Sequence, residues 1–182
     1  MVLAAVMAAG TGGALTAQAA QAQPAVAVPC STPALTSAVA SAASGTTLSL
    51  AARCVYHLTA PLPQVSQVLT ITGNRATLQR SEAAGTAAFT ILTVTGSGTL
   101  TVNELNFRHG AGAIAVLEQG QLTVNGGTFT ENAAANGGAI YGNAGNFNWS
   151  TGQIAVNNAT FVKNTATGDG GAIYYCTAVP RS

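Results

Sequence analysis

The chain has 182 residues, of which only 6% are charged, and a formal net charge of +1. So little charge leaves no basic patch for a nucleic-acid partner, and the five acidic residues are too scattered for an acidic tail or a calcium-binding repeat. Abundant Ala, Thr, Gly and Asn instead suit stacked strands with Thr and Asn surfaces.

Residues 1–52 hold no Asp, Glu, Lys or Arg. Val2 to Leu15 is apolar and Ala-rich, and Ala17-Gln18-Ala19 and Ala20-Gln21-Ala22 are small-x-small cleavage sites. This reads as a secretory signal peptide over 1–22, against the alternative of an Ala-rich disordered tail. A positive n-region is missing, so the true start is expected upstream. Gly10, Gly12, Gly13, Gln18 and Gln21 interrupt the apolar run before the ~18–20 residues of a membrane span. No integral span is therefore expected in the mature chain. Pro29 before Cys30 does not suit lipoprotein cleavage, and residues 23–29 read as a linker.

Ser31-Thr32-Pro33 opens a short helix ending near Gly45, with Pro33 in its first turn and Thr32 as the capping side chain. Leu35, Ala38, Val39 and Ala42 make one small apolar face. Residues 30–60 read as an N-terminal cap and a first coil, the latter carried by Leu48, Leu50, Tyr56 and Leu58. Leu69, Ile71 and Leu78 suggest a second coil, and Phe89, Leu92 and Val94 a third. In a secreted chain, Cys30 and Cys54 suit a disulfide that clips cap to coil; the alternative is two buried thiols. Either way the partner of Cys176 is left open.

From residue 100 a repeat governs the chain. Leu100-Thr101-Val102-Asn103 leads to Phe107, Leu122-Thr123-Val124-Asn125 to Phe129, and Ile154-Ala155-Val156-Asn157 to Phe161. Each Val precedes its Phe by five positions, whereas the Val-to-Val periods are 22 and 32. Constant segments with period-two alternation read as strands, and elastic spacers as loops between stacked coils. Phe129 and Asn132 are followed by Gly137, Gly138, Ala139 and Ile140; Phe161 and Asn164 are followed by Gly170, Gly171, Ala172 and Ile173. Stacking would put Phe107, Phe129 and Phe161 in one interior ladder, Asn103, Asn125 and Asn157 in a polar one, and Asn132 on Asn164. The glycines are expected to supply backbone freedom where the chain turns. Residues 61–182 thus read as stacked repeat coils.

The pairing of Phe-x-x-Asn with Gly-Gly-Ala-Ile resembles the repeat of the chlamydial polymorphic outer-membrane protein family and related bacterial right-handed parallel β-helix proteins. The likeness covers about residues 100–175, with a looser extension back to about Pro61, and implies that residues 61–182 are parallel β-helix repeats, incomplete at the C-terminus. Phe107-Arg108-His109-Gly110 and Ala111-Gly112-Ala113-Ile114 form a worn third copy, with Gly110 at the Asn position. The resemblance implies an all-β fold, a right-handed single-stranded parallel β-helix (a solenoid), to which the helix read from residues 31–45 adds a short N-terminal cap. It also implies a secreted or cell-surface protein with an adhesin-like or cell-envelope structural role.

Many β-helices act on polysaccharides through clustered carboxylates, and glycoside hydrolysis needs two of them about 5–10 Å apart. Aligning the repeats puts Glu104 with Gly126 and Asn158, Glu131 with His109 and Lys163, and Asp169 with Asn136 and Gly110. No column holds two acids, although a pair across columns stays open. Arg75 and Arg80 near Glu82 read as a surface ion pair. Gly168-Asp169-Gly170-Gly171 occurs once, too little for a calcium nonapeptide, and Phe147 and Trp149 in the long spacer suit edge covering more than ligand binding. The expectation is a non-enzymatic protein with no catalytic residue, cofactor or metal, and with a protein or polysaccharide surface ligand as partner. The alternative is a fragment of a pectate-lyase-like enzyme whose catalytic coils are missing.

Overall fold

A computed structural model of the chain describes residues 24–143 and 153–176. The expected signal peptide, Phe147 and Trp149 lie outside the described residues. The described residues open with β1 (Val26–Val28) and α1 (Thr32–Ser41), then wind into coils. The first contains β2 (Thr46–Leu50) and β3 (Val55–Leu58). The second contains β4 (Val68–Thr72), β5 (Thr77–Arg80) and β6 (Leu92–Val94), and the third β7 (Thr99–Asn103), β8 (Asn106–Arg108) and β9 (Ile114–Leu117). The fourth runs through β10 (Gln121–Asn125), β11 (Thr128–Thr130), β12 (Ala133–Ala134) and β13 (Ile140–Asn143). The fifth runs through β14 (Gln153–Asn157), β15 (Thr160–Val162), β16 (Thr165–Ala166) and β17 (Ile173–Cys176).

Equivalent strands stack as parallel sheets, in the orders β1-β2-β4-β7-β10-β14, β3-β5-β8-β11-β15 and β6-β9-β13-β17, with β12-β16 a short fourth. The fold is a parallel β-helix with an N-terminal helix. Alternation decides what enters it: Leu100, Val102, Leu122 and Val124 are at most 1% exposed, while the intervening Thr101 and Thr123 face outward. The register is as the repeats align, with Leu122 between Leu100 and Ile154 and Val124 between Val102 and Val156.

Three local expectations are corrected. Residues 23–29 are not wholly linker, because β1 pairs with β2 from Val26↔Leu48 to Val28↔Leu50 and buries Val28. Phe89, Leu92 and Val94 do not form a coil of their own; β6 is the third side of the second coil, beneath β9. The apolar residues were legible, but the long 81–91 connection hid which coil they close. Thr32 does not cap the helix: Ser31 is the N-cap, without a side-chain cap bond, and Thr32 Oγ1 donates to the His57 carbonyl at 3.0 Å. Thr32 thus ties the helix to β3, and the helix ends at Ser41, short of Gly45.

The helix still covers the first coil. Leu35 and Val39 are buried against the core, with Ala38 and Ala42 beside them. A disulfide joins Cys30 to Cys54, whose Cα atoms are 5.6 Å apart, fixing the helix entry to the β2–β3 corner. Tyr56 is buried at the same place, its hydroxyl within 3.3 Å of the Val28 carbonyl and 3.1 Å of the Pro29 carbonyl. No helix among the described residues is long and apolar enough to cross a membrane.

Candidate functional site

The repeat residues join one coil to the next. Phe107, Phe129 and Phe161 stack with ring centroids 5.0 and 4.9 Å apart. Asn125 donates to Asn103 at 2.9 Å, and Asn157 to Asn125 at 3.0 Å. The other asparagines reach back one coil. Asn132 donates to the Phe107 carbonyl at 3.2 Å and accepts from the Gly110 N–H at 2.9 Å. Asn164 donates to the Phe129 carbonyl at 2.8 Å and accepts from the Asn132 N–H at 3.1 Å. Because each such Asn serves the coil before it, the worn copy loses only the bonds its own Asn would make to the second coil. There the chain departs into the 81–91 connection, and the Arg80 Nε–H donates to the His109 carbonyl at 2.7 Å instead.

The glycines divide by role. Gly137 and Gly170 have φ of 58° and 65°, as a tight turn requires. Gly138 is spared a side chain for a different reason, since a Cβ there would overlap the carbonyls of Gly171 and Thr165 in the next coil. Ala139 and Ile140 are fully buried, whereas Ile173, their counterpart's end, is 39% exposed.

Charge collects at the corners. His109, Glu131 and Lys163, which share a repeat column, have φ of 59°, 54° and 53°, the same left-handed corner in three successive coils. Glu104 and Glu118 occupy other left-handed corners, with φ of 47° and 57°. Spreading the acids over different corners is why no repeat column holds two of them.

At the His109 corner, five charged or titratable side chains line a groove of about 720 Å³: Arg80, Glu82, Arg108, His109 and Glu131. Glu131 Oε2 lies 2.8 Å from His109 Nε2 and 2.9 Å from Arg108 Nη2. On the other side of the ring, Glu82 Oε2 is 2.8 Å from Nδ1, near enough for an ion pair but out of line for a hydrogen bond. The Arg108 Nε–H also donates to Glu131 Oε2, at 3.2 Å. The hydrogen bonds from His109 and then Arg108 hold the Glu131 carboxyl below its ordinary range, against a smaller opposing effect of desolvation.

Alignment identified His109 and Glu131 but not Glu82, which lies in a connection with no repeat register. The ion pair expected for Glu82 with Arg75 or Arg80 is not what forms. Arg80 bonds the carbonyls of His109 and Ser81, Arg75 is exposed beside Glu104 on another groove, and Glu82 turns to the imidazole. Two carboxylates thus meet across columns, with one imidazole between them. They address opposite nitrogens of one ring, so they diverge instead of converging on an ion. Among the described residues no group of His, Cys, Asp and Glu could hold a metal.

The family model of the Chlamydia polymorphic membrane protein (Chlamydia_PMP) repeat matches residues 158–175. No curated protein and no solved structure gives a significant match. The matched segment spans Phe161, Asn164, Gly170, Gly171, Ala172 and Ile173, the residues that build the fifth coil. The chain is therefore similar, through that repeat and the parallel β-helix it builds, to Chlamydia polymorphic membrane proteins, a family associated with the cell surface and outer membrane.

Proposed function

We propose that this chain is a secreted or cell-surface, non-enzymatic β-helix protein, adhesin-like or structural in the cell envelope, whose side presents a rigid, weakly charged surface to a partner. One observation carries this reading. The repeated residues are spent on phenylalanine stacks and amide ladders that join coil to coil, and among the described residues the one dense charge cluster pairs internally. A scaffold built this way is stiff and regular along its length, which suits presentation of an extended surface.

The enzyme reading has one specific observation in its favour, the approach of Glu82 and Glu131 to His109 in an open groove. Against it, both carboxylates are directed at the imidazole, and Glu131 is tied to Arg108. The test is to incubate the purified chain with neutral and uronic-acid polysaccharides and assay for new chain ends, and to probe intact cells with a protease. Surface cleavage without sugar turnover is the expected result. Depolymerisation that disappears in Glu131→Gln would overturn the non-enzymatic reading.

A further inference from the structure

A second groove, about 330 Å³, adjoins the charged one and shares Ala111 with it. It arises from a mismatch in one outward column. Ala115, Tyr141 and Tyr174 occupy equivalent positions on β9, β13 and β17. Tyr174 stacks on one face of Tyr141, with centroids 5.8 Å apart and planes 7° from parallel. On the opposite side the column continues with the small Ala115 and then Thr93, so the second face of Tyr141 borders a cleft floored by small residues such as Ala111, Gly112 and Ala134. Thr90 and Asn136 line its polar side. The Asn136 oxygen already accepts from the Asp169 N–H at 2.9 Å, which turns the amide NH2 to other partners.

We infer that this cleft binds a neutral pyranose ring of a glycan, with the sugar's C–H face on Tyr141 and its hydroxyls toward Asn136 and Thr90. The volume falls at the small end of ligand pockets, which suits one ring and not a folded peptide. A flat aromatic face beside polar groups matches the two-sided character of a pyranose. Among the described residues no charged side chain lines the cleft, and in the adjoining groove Arg108 and His109 pair with Glu131 while Arg80 is taken up by the carbonyls of His109 and Ser81, so nothing calls for an acidic sugar. Continuity with the first groove gives a longer glycan a path across the coils. This names the partner class for the surface reading above and rests on it.

The test is calorimetric titration of the purified chain with cellohexaose and maltohexaose, using oligogalacturonate as the charged control. Ala115→Leu fills the cleft and Tyr141→Ala removes its platform, so each is expected to weaken neutral-sugar binding by about tenfold or more. Tyr174→Ala, which leaves the exposed face in place, is expected to shift it by less than about threefold. Circular dichroism identifies which variants are folded, and either cleft variant alone suffices. No binding of neutral hexamers by the parent chain, or unchanged binding by a folded cleft variant, overturns the inference while leaving the surface reading intact. Binding lost in the cleft variants but accompanied by release of shorter sugars supports the cleft and overturns the non-enzymatic reading instead.

Discussion

The two ends of the solenoid are built from the same kinds of residue and finish in opposite ways. At the N-terminal end, α1, β1 and the Cys30–Cys54 bridge close over the first coil, and Leu48, Leu50, Tyr56 and Leu58 are at most 2% exposed. At the other end, nothing among the described residues lies over β14 to β17. Ile154, Val156 and Phe161 are half-buried there, and Val162, Ile173 and Tyr175 are each 39% exposed. Ile140 and Ile173 hold the same motif position, one fully buried and one not. Burial in a stacked fold is therefore a property of place in the stack, because each coil obtains half its contacts from the coil above it.

The strongest way to test this contrast is the phenylalanine ladder. Phe129→Ala, with a ring on both sides, is expected to cost about 3–5 kcal/mol, and Phe161→Ala roughly half that or less, measured by denaturant unfolding. Equal losses would mean that the outer coil is as well packed as the inner ones. Next is the cap: replacing Cys30 and Cys54 by Ser removes a link spanning 24 residues and is expected to cost about 3 kcal/mol through the unfolded chain. A smaller effect is expected from Asn132→Ala, which strands the Gly110 N–H and Phe107 carbonyl in the interior and should cost about 1–3 kcal/mol. Asn164→Ala, nearer solvent, should cost less. Native-state hydrogen exchange then supplies a profile, with amides of β14 to β17 exchanging faster than those of β7 to β11.

The smallest predicted effect is electrostatic. Glu131 has a lowered pKa in the folded chain, so its contribution is present above the ordinary carboxyl value of 4.5 and is lost as pH falls through the folded value. Melting temperature should therefore decline below about pH 4.5, and Glu131→Gln should flatten that decline. A variant with an unchanged acid limb would show that the His109 corner contributes nothing to holding the coils together.

Much of the fold was legible because the repeat reports its own register. Once Val102, Val124 and Val156 are aligned, the Phe and Asn ladders follow from a period-two strand and a fixed corner. The site was less legible. His109 and Glu131 lie in the repeat, so their column could be found, but Glu82 sits in the aperiodic 81–91 connection. Nothing in its neighbours in sequence says that it folds back onto an imidazole 27 residues away. The Tyr141 cleft was missed for a related reason: its cause is a small residue, Ala115, and a missing side chain gives no motif.

What the sequence determined by itself is the local grammar: which residues alternate inward, where corners fall, which cysteines can pair, and that acids do not recur in one column. These depend on periods and spacings within a single chain. Only the tertiary structure decided which coil closes with β6, that β1 joins the first sheet, and which charges meet at His109. It also decided which tyrosine face is left uncovered. Those are contacts between coils across aperiodic connections, where the length of a loop does not specify its path.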